Sequence, residues 1–140
     1  MGPINKSVIV LTQRTYAYLL ANTREPASLR ACREATNGMH GSQMQVPPEQ
    51  GALLGLLVEL SGARRALEVG TYTARRAVSL RMPLSLTRLL STQGYSSTAI
   101  ALALPADGTL VTCDVNAETM AVARATWDAA GVANKARAMR

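Results

Sequence analysis

Glu68 and Asp114 each stand at the end of a short apolar run, in ALEVG and TLVTCDV, and two glycines, Gly70 and Gly94, lie between them. Residues of these types at the carboxyl ends of parallel strands bind nucleotide-type cofactors. The glycines let backbone approach the ligand, and an acid at the end of the second strand accepts hydrogen bonds from ribose hydroxyls. Gly70 and Asp114 are 44 residues apart, and setting aside the 20 residues of 74–93 leaves 24. That is close to the roughly 20 of a dinucleotide fingerprint. Glu68 argues against a pyrophosphate beside it, because like charges repel. It suits a cationic cofactor, and S-adenosylmethionine carries both a sulfonium and an ammonium. The same residues also fit a βαβ unit whose glycines only make turns and whose Asp114 caps a helix.

The surrounding pattern predicts the elements that position these groups. TQRTYAYLLANTREP reads as a short helix with Tyr16, Tyr18, Leu19 and Leu20 as its apolar part, ended before Pro26. ASLRACREATNG reads as a second, stopped at Asn37-Gly38. The clearest helix is PPEQGALLGLLVELSGA: Pro47 and Pro48 open it, Glu49 suits its first turn, and Gly62 ends it. RRALEVGTY then predicts a parallel strand covered on both faces. SSTAIALALP predicts a helix, TLVTCDVN a strand, and AETMAVARATWDAAGV a helix running from Asn116 to Gly131. Strand, helix, strand, helix gives a βαβα unit and hence an α/β fold with a parallel sheet. The organisation expected is an N-terminal helical segment, 1–46, and an α/β domain, 47–140, carrying an insertion at 74–93.

Charge sharpens the picture. The net charge is +6, from 15 Lys and Arg against 9 acids. Four of those arginines, Arg75, Arg76, Arg81 and Arg88, fall within 74–93, so the rest of the chain carries 11 against 9, a net of +2. The basic character belongs mostly to one segment. A basic module that contacts polyanions through 74–93 is therefore the alternative function. Neither cysteine, Cys32 or Cys113, has metal spacing, so ordinary thiols in a reduced, cytoplasmic chain are expected. No signal peptide or membrane span is expected. His40 lacks the partners of a catalytic triad, and Trp127 is expected to pack in the core.

The stretches TYAYLLANTREPASLRACREAT, MQVPPEQGALLGLLVELSGARRALEVGTYT, GYSSTAIALALPADGTLVTCDVN and AGVANK occur in one order. Together they resemble the metal-dependent O-methyltransferases of the caffeoyl-CoA and catechol type. The resemblance implies a Rossmann-like class I methyltransferase fold, here its N-terminal part and so incomplete. It implies methyl transfer from S-adenosylmethionine to a hydroxyl of a small catechol-like molecule. It carries the cofactor contacts to Val46, Glu68, Gly70, Thr71, Ser96 and Asp114, none of them a catalyst. It further implies a homodimer, and the charge run by itself does not argue for a nucleic-acid or membrane partner.

The resemblance breaks at two places. The family runs GTYTGYS without interruption, whereas here 20 residues separate Thr73 from Gly94. Such an insertion is expected to carry Gly94, Tyr95 and Ser96 away from Gly70. After AGVANK the family continues into a further strand and acidic residues that hold a divalent metal, usually Mg²⁺, which favours the ionised acceptor hydroxyl. The final ARAMR matches nothing of that kind, and no metal ligand is assigned. Little or no methyl transfer is expected of these 140 residues as they stand.

Overall fold

The computed structural model describes residues 11–37, 45–69, 94–115 and 117–139. Three helices come first: α1 (Gln13–Asn22), α2 (Ala27–Thr36) and α3 (Pro48–Ser61). Then β1 (Arg65–Val69), α4 (Tyr95–Ala103), β2 (Thr109–Cys113), α5 (Ala117–Ala129) and β3 (Ala136–Met139) alternate. Local chemistry accounts for several boundaries. Thr12 caps α1 by accepting from the Thr15 amide at 3.1 Å. Pro48 stands in the first turn of α3, where a missing amide hydrogen costs nothing, and Gly62 closes it in the left-handed conformation at φ 61°.

The sheet is parallel with strand order β1-β2-β3. The final segment, expected to match nothing that follows AGVANK in the family, is corrected by the structure: it forms a third strand. Ala136–Met139 pairs with β2, Leu110 opposite Ala136 and Cys113 opposite Met139. Its four residues include no β-branched side chain, so backbone pairing on β2 makes the strand where propensity does not. Lys135, just before it, donates from Nζ to the carbonyls of Leu104 at 2.7 Å and Ala101 at 3.2 Å. It thereby satisfies carbonyl groups at the end of α4.

One face of the sheet is covered. Leu110 of β2 is fully buried with Ala101 and Leu104 after β1 and with Met120, Ala123 and Trp127 of α5. Consecutive right-handed crossovers that step in one direction put their helices on the same side. The other face is open: Leu67 is 68% and Val69 80% exposed. The expectation that β1 is covered on both faces is corrected by this one-sided arrangement of the described elements. Leu53, Leu56, Leu57 and Leu60 of α3 are exposed as well, because that helix turns its glycines toward the core.

Those glycines set how closely α3 approaches α4. A Cβ on Gly51 would lie 2.8 Å from Cε1 of Tyr95, and one on Gly55 would touch Ala103 at 3.6 Å. Tyr95 is itself buried with Leu29, Cys32 and Ala99, so its ring has little room to yield. Gly51→Ala is expected to destabilise the fold despite alanine's better helix propensity of about 1 kcal/mol, because overpacking costs about 1–3 kcal/mol. A melting temperature lowered by roughly 3–6 °C is expected. Gly55→Ala, measured alongside, is expected to melt no lower than the parent.

Candidate functional site

The strand register assembles the site. Glu68 lies opposite Thr112 in the β1–β2 pairing, and Asp114 follows two residues after Thr112. Side chains two apart on a strand share a face, so Glu68, Thr112 and Asp114 stand on one side of the sheet at its C-terminal edge. That is the side α4 and α5 cover. Thr112 Oγ1 donates to Glu68 Oε2 at 2.9 Å, and Ser96 Oγ, in the first turn of α4, donates to Glu68 Oε1 at 2.5 Å. Asp114 is buried, 4% exposed, and its amide donates to the Met139 carbonyl at 3.1 Å. The new strand β3 therefore fixes the backbone that carries Asp114.

Burial pushes the Glu68 carboxyl above the ordinary carboxylate range, and the nearby Asp114 charge adds to the rise. The Ser96 and Thr112 hydroxyls oppose it. Both donors are neutral, so they leave the negative charge of Glu68 uncompensated. Two acids on adjacent strand ends, one half-buried and one buried, favour a cation beside them.

The N-terminus of α4 is seated with little freedom. Gly94 adopts φ 74°, and a Cβ there would lie 2.9 Å from Ala123 of α5. Only glycine meets both constraints. The Gly94 carbonyl accepts from Ser97 Oγ at 2.9 Å and Thr98 Oγ1 at 2.7 Å, and Trp127 Nε1 donates to Ser97 Oγ at 3.0 Å. Trp127 is core as expected, and it also pins α5 to the first turn of α4.

Of the six residues assigned to the cofactor, Glu68, Ser96 and Asp114 come together at this edge. Val46 sits just before α3 and packs against the cluster of Leu29, Cys32, Tyr95 and Ala99. Gly70 and Thr71 lie outside the described residues, as do His40, Asn116 and the whole of 74–93. The expected separation of Gly94, Tyr95 and Ser96 from Gly70 falls on a residue outside those described, while Ser96 makes its hydrogen bond to Glu68 at the end of β1. Sequence reasoning missed Thr112, although its place two before Asp114 on a strand signals a shared face. It also missed a partly buried cluster next to the site. Glu25 takes Arg33 Nε and Nη2 at 2.8 Å each and Tyr95 Oη at 2.9 Å. Among the described residues, no three His, Cys, Asp or Glu side chains converge on a metal-sized site.

Because the folded state holds the Glu68 proton more tightly than the unfolded chain, this group favours folding most at low pH. That contribution is lost as pH rises from the ordinary carboxylate range through the raised folded value. Glu68→Gln keeps partners for both hydroxyls and removes the charge. The ligand-free variant is expected to melt above the parent at pH 7, with the difference vanishing below the ordinary carboxylate range. A variant that melts below the parent at pH 7 contradicts this account of Glu68.

The comparisons with known proteins agree with this geometry. The O-methyltransferase family model matches residues 20–88 and 89–139. Caffeoyl-CoA O-methyltransferase 1 of Zea mays is 33% identical over 123 residues, covering 86% of this chain and 40% of the relative. Catechol O-methyltransferase domain-containing protein 1 of Mus musculus is 35% identical over 121 residues, covering 86% of this chain and 38% of the relative. Among solved structures, the O-methyltransferase TomG from Streptomyces achromogenes, in complex with SAM, superposes with a TM-score of 0.66 at 29% identity. The superposition covers 88% of this chain and 46% of that one. The chain thus spans about 40% of the length of these curated relatives. The fold is that of class I methyltransferases in incomplete form, and with the family model matching most of its length the chain belongs to the O-methyltransferase family.

Proposed function

We propose that the chain forms the cofactor-binding half of an S-adenosylmethionine-dependent O-methyltransferase whose acceptor is a hydroxyl on a small, catechol-like molecule. The observation that carries this is the meeting of Ser96, Glu68 and Asp114 at the C-terminal edge of a parallel sheet. Asp114 would accept hydrogen bonds from the ribose hydroxyls. Glu68, with its charge uncompensated by its hydroxyl donors, suits the cationic methionine part of the cofactor. Val46, Gly70 and Thr71 would complete the contacts through backbone. The cofactor supplies an electrophilic methyl group, and what these residues do is bind and orient it. The proposal includes a homodimer, for which the exposed leucines of α3 offer apolar surface.

The family match runs up to and across the basic segment, meeting itself at Arg88 and Leu89. The alternative, a polyanion-binding module built on 74–93, has no support from the comparisons.

Isothermal titration with S-adenosylhomocysteine tests the proposal. Saturable binding is expected from the parent chain. Asp114→Ala is expected to weaken it by roughly 10-fold to 100-fold, the range of a hydrogen bond to a charged group. Absence of binding by a folded parent, or an unchanged affinity in Asp114→Ala, refutes it. Methyl transfer by these 140 residues alone is expected to be absent or weak, measured with a catechol and Mg²⁺.

A further inference from the structure

The partly buried cluster of Glu25, Arg33 and Tyr95 lies beside the site but outside it. Glu25 stands between α1 and α2, with its side chain only 6% exposed. Arg33 of α2 grips both of its oxygens at 2.8 Å in the bidentate geometry that makes such pairs strong. Oε1 takes a further hydrogen bond, from Tyr95 Oη at 2.9 Å. Arg33 holds the Glu25 carboxyl below the ordinary carboxylate range, so it stays an ionised acceptor. Burial and that acceptor together raise the Tyr95 phenol, so it stays a donor. The polarity of the contact is therefore fixed.

Tyr95 is the first residue of α4 and Ser96 the second. Neighbours on a helix point about 100° apart. Tyr95 accordingly faces α2 and α3, against Leu29, Cys32 and Gly51, while Ser96 faces Glu68 of β1. The rotation of this first turn about the helix axis decides whether Ser96 Oγ reaches Glu68. A buried hydroxyl tethered to an ionised acceptor resists that rotation.

We propose that Tyr95, anchored by the Glu25–Arg33 pair, is a positioning residue for the cofactor site, holding the first turn of α4 so that Ser96 meets Glu68. On this basis the N-terminal helices shape the site without touching the ligand. The inference deepens the proposed function and rests on it for its ligand-binding consequence, while its structural core stands without a ligand.

The test uses the full chain and two measurements. In the first, the Glu68 carboxyl is titrated by carbon-13 NMR with no ligand present. The groups facing it are Ser96 from α4 and Thr112 and Asp114 from the second strand. Losing the Ser96 hydrogen bond removes a contact that favours the ionised form, so Ser96→Ala shifts the titration upward. Tyr95→Phe and Glu25→Met are expected to shift it upward too, and Tyr95→Phe is expected to add nothing in the Ser96→Ala background. In the second, affinity for S-adenosylhomocysteine is expected to fall about tenfold in Tyr95→Phe, the scale of one hydrogen bond to a charged group. A lowered melting temperature with an unmoved Glu68 titration in both Tyr95→Phe and Glu25→Met means that the cluster only stabilises the fold, and overturns the proposal. A parent chain that binds no S-adenosylhomocysteine removes the proposed function, and the ligand-free titration still decides the role of Tyr95.

Discussion

The Glu68 carboxylate, gripped by the hydroxyls of Ser96 and Thr112, is the interaction on which the arrangement of the site depends. It joins three elements that chain connectivity alone does not hold in register: the end of β1, the end of β2 and the first turn of α4. Between Glu68 and Ser96 run 27 residues of sequence, 69–95. Loop-closure entropy grows slowly, by about 0.6 kcal/mol per doubling of length. A long connection therefore does not prevent the contact, and local packing decides the outcome. Gly94 against Ala123, Tyr95 against Gly51 and Trp127 onto Ser97 each seat the N-terminus of α4 independently of the insertion. The insertion thus weighs less against the site than its position in the motif suggests.

The same packing explains the one-sidedness of the sheet. Helices α4 and α5 follow consecutive strands that step in a single direction, so both fall on one face. Thr112 and Asp114 share that face with Leu110, which makes the polar site a direct continuation of the apolar core cluster. The opposite face, with Leu67 and Val69, has no cover among the described residues. The chain covers about half of the solved relatives, 46% of TomG.

The sequence made much of this legible, and the failures have physical causes. Helix α3 could be read from Pro47, Pro48 and Gly62 because capping chemistry is local. The strands β1 and β2 could be read from short apolar runs that end at Glu68 and Asp114. Strand β3 could not, because Ala136, Arg137, Ala138 and Met139 show neither β-branching nor alternation, and their pairing is imposed by β2. The cover of β1 was misjudged because a strand rich in apolar residues reads alike whether its second face is buried or open. Glu68, Ser96 and Asp114 could be placed by motif, whereas the Glu25–Tyr95 contact joins residues 70 positions apart. No local pattern encodes such a contact.

An acid such as Glu68 works against stability in the ligand-free chain. Burial disfavours its charge, Asp114 adds repulsion, and the two hydroxyls offset this only in part. An amide in its place would satisfy the same partners at lower cost. Local rules broken without a compensating gain in the fold mark sites kept for another purpose. A bound cation supplies the missing compensation, since anything that binds the folded state alone stabilises it. The energetic tension at Glu68 and the cationic character of the proposed cofactor are thus two sides of one argument. The Glu25–Arg33–Tyr95 cluster differs instructively: there the acid is already paired with a cation, its carboxyl is lowered, and nothing is left over for a ligand. Two glutamates in one small fold are separated in role by whether their charge is met from within.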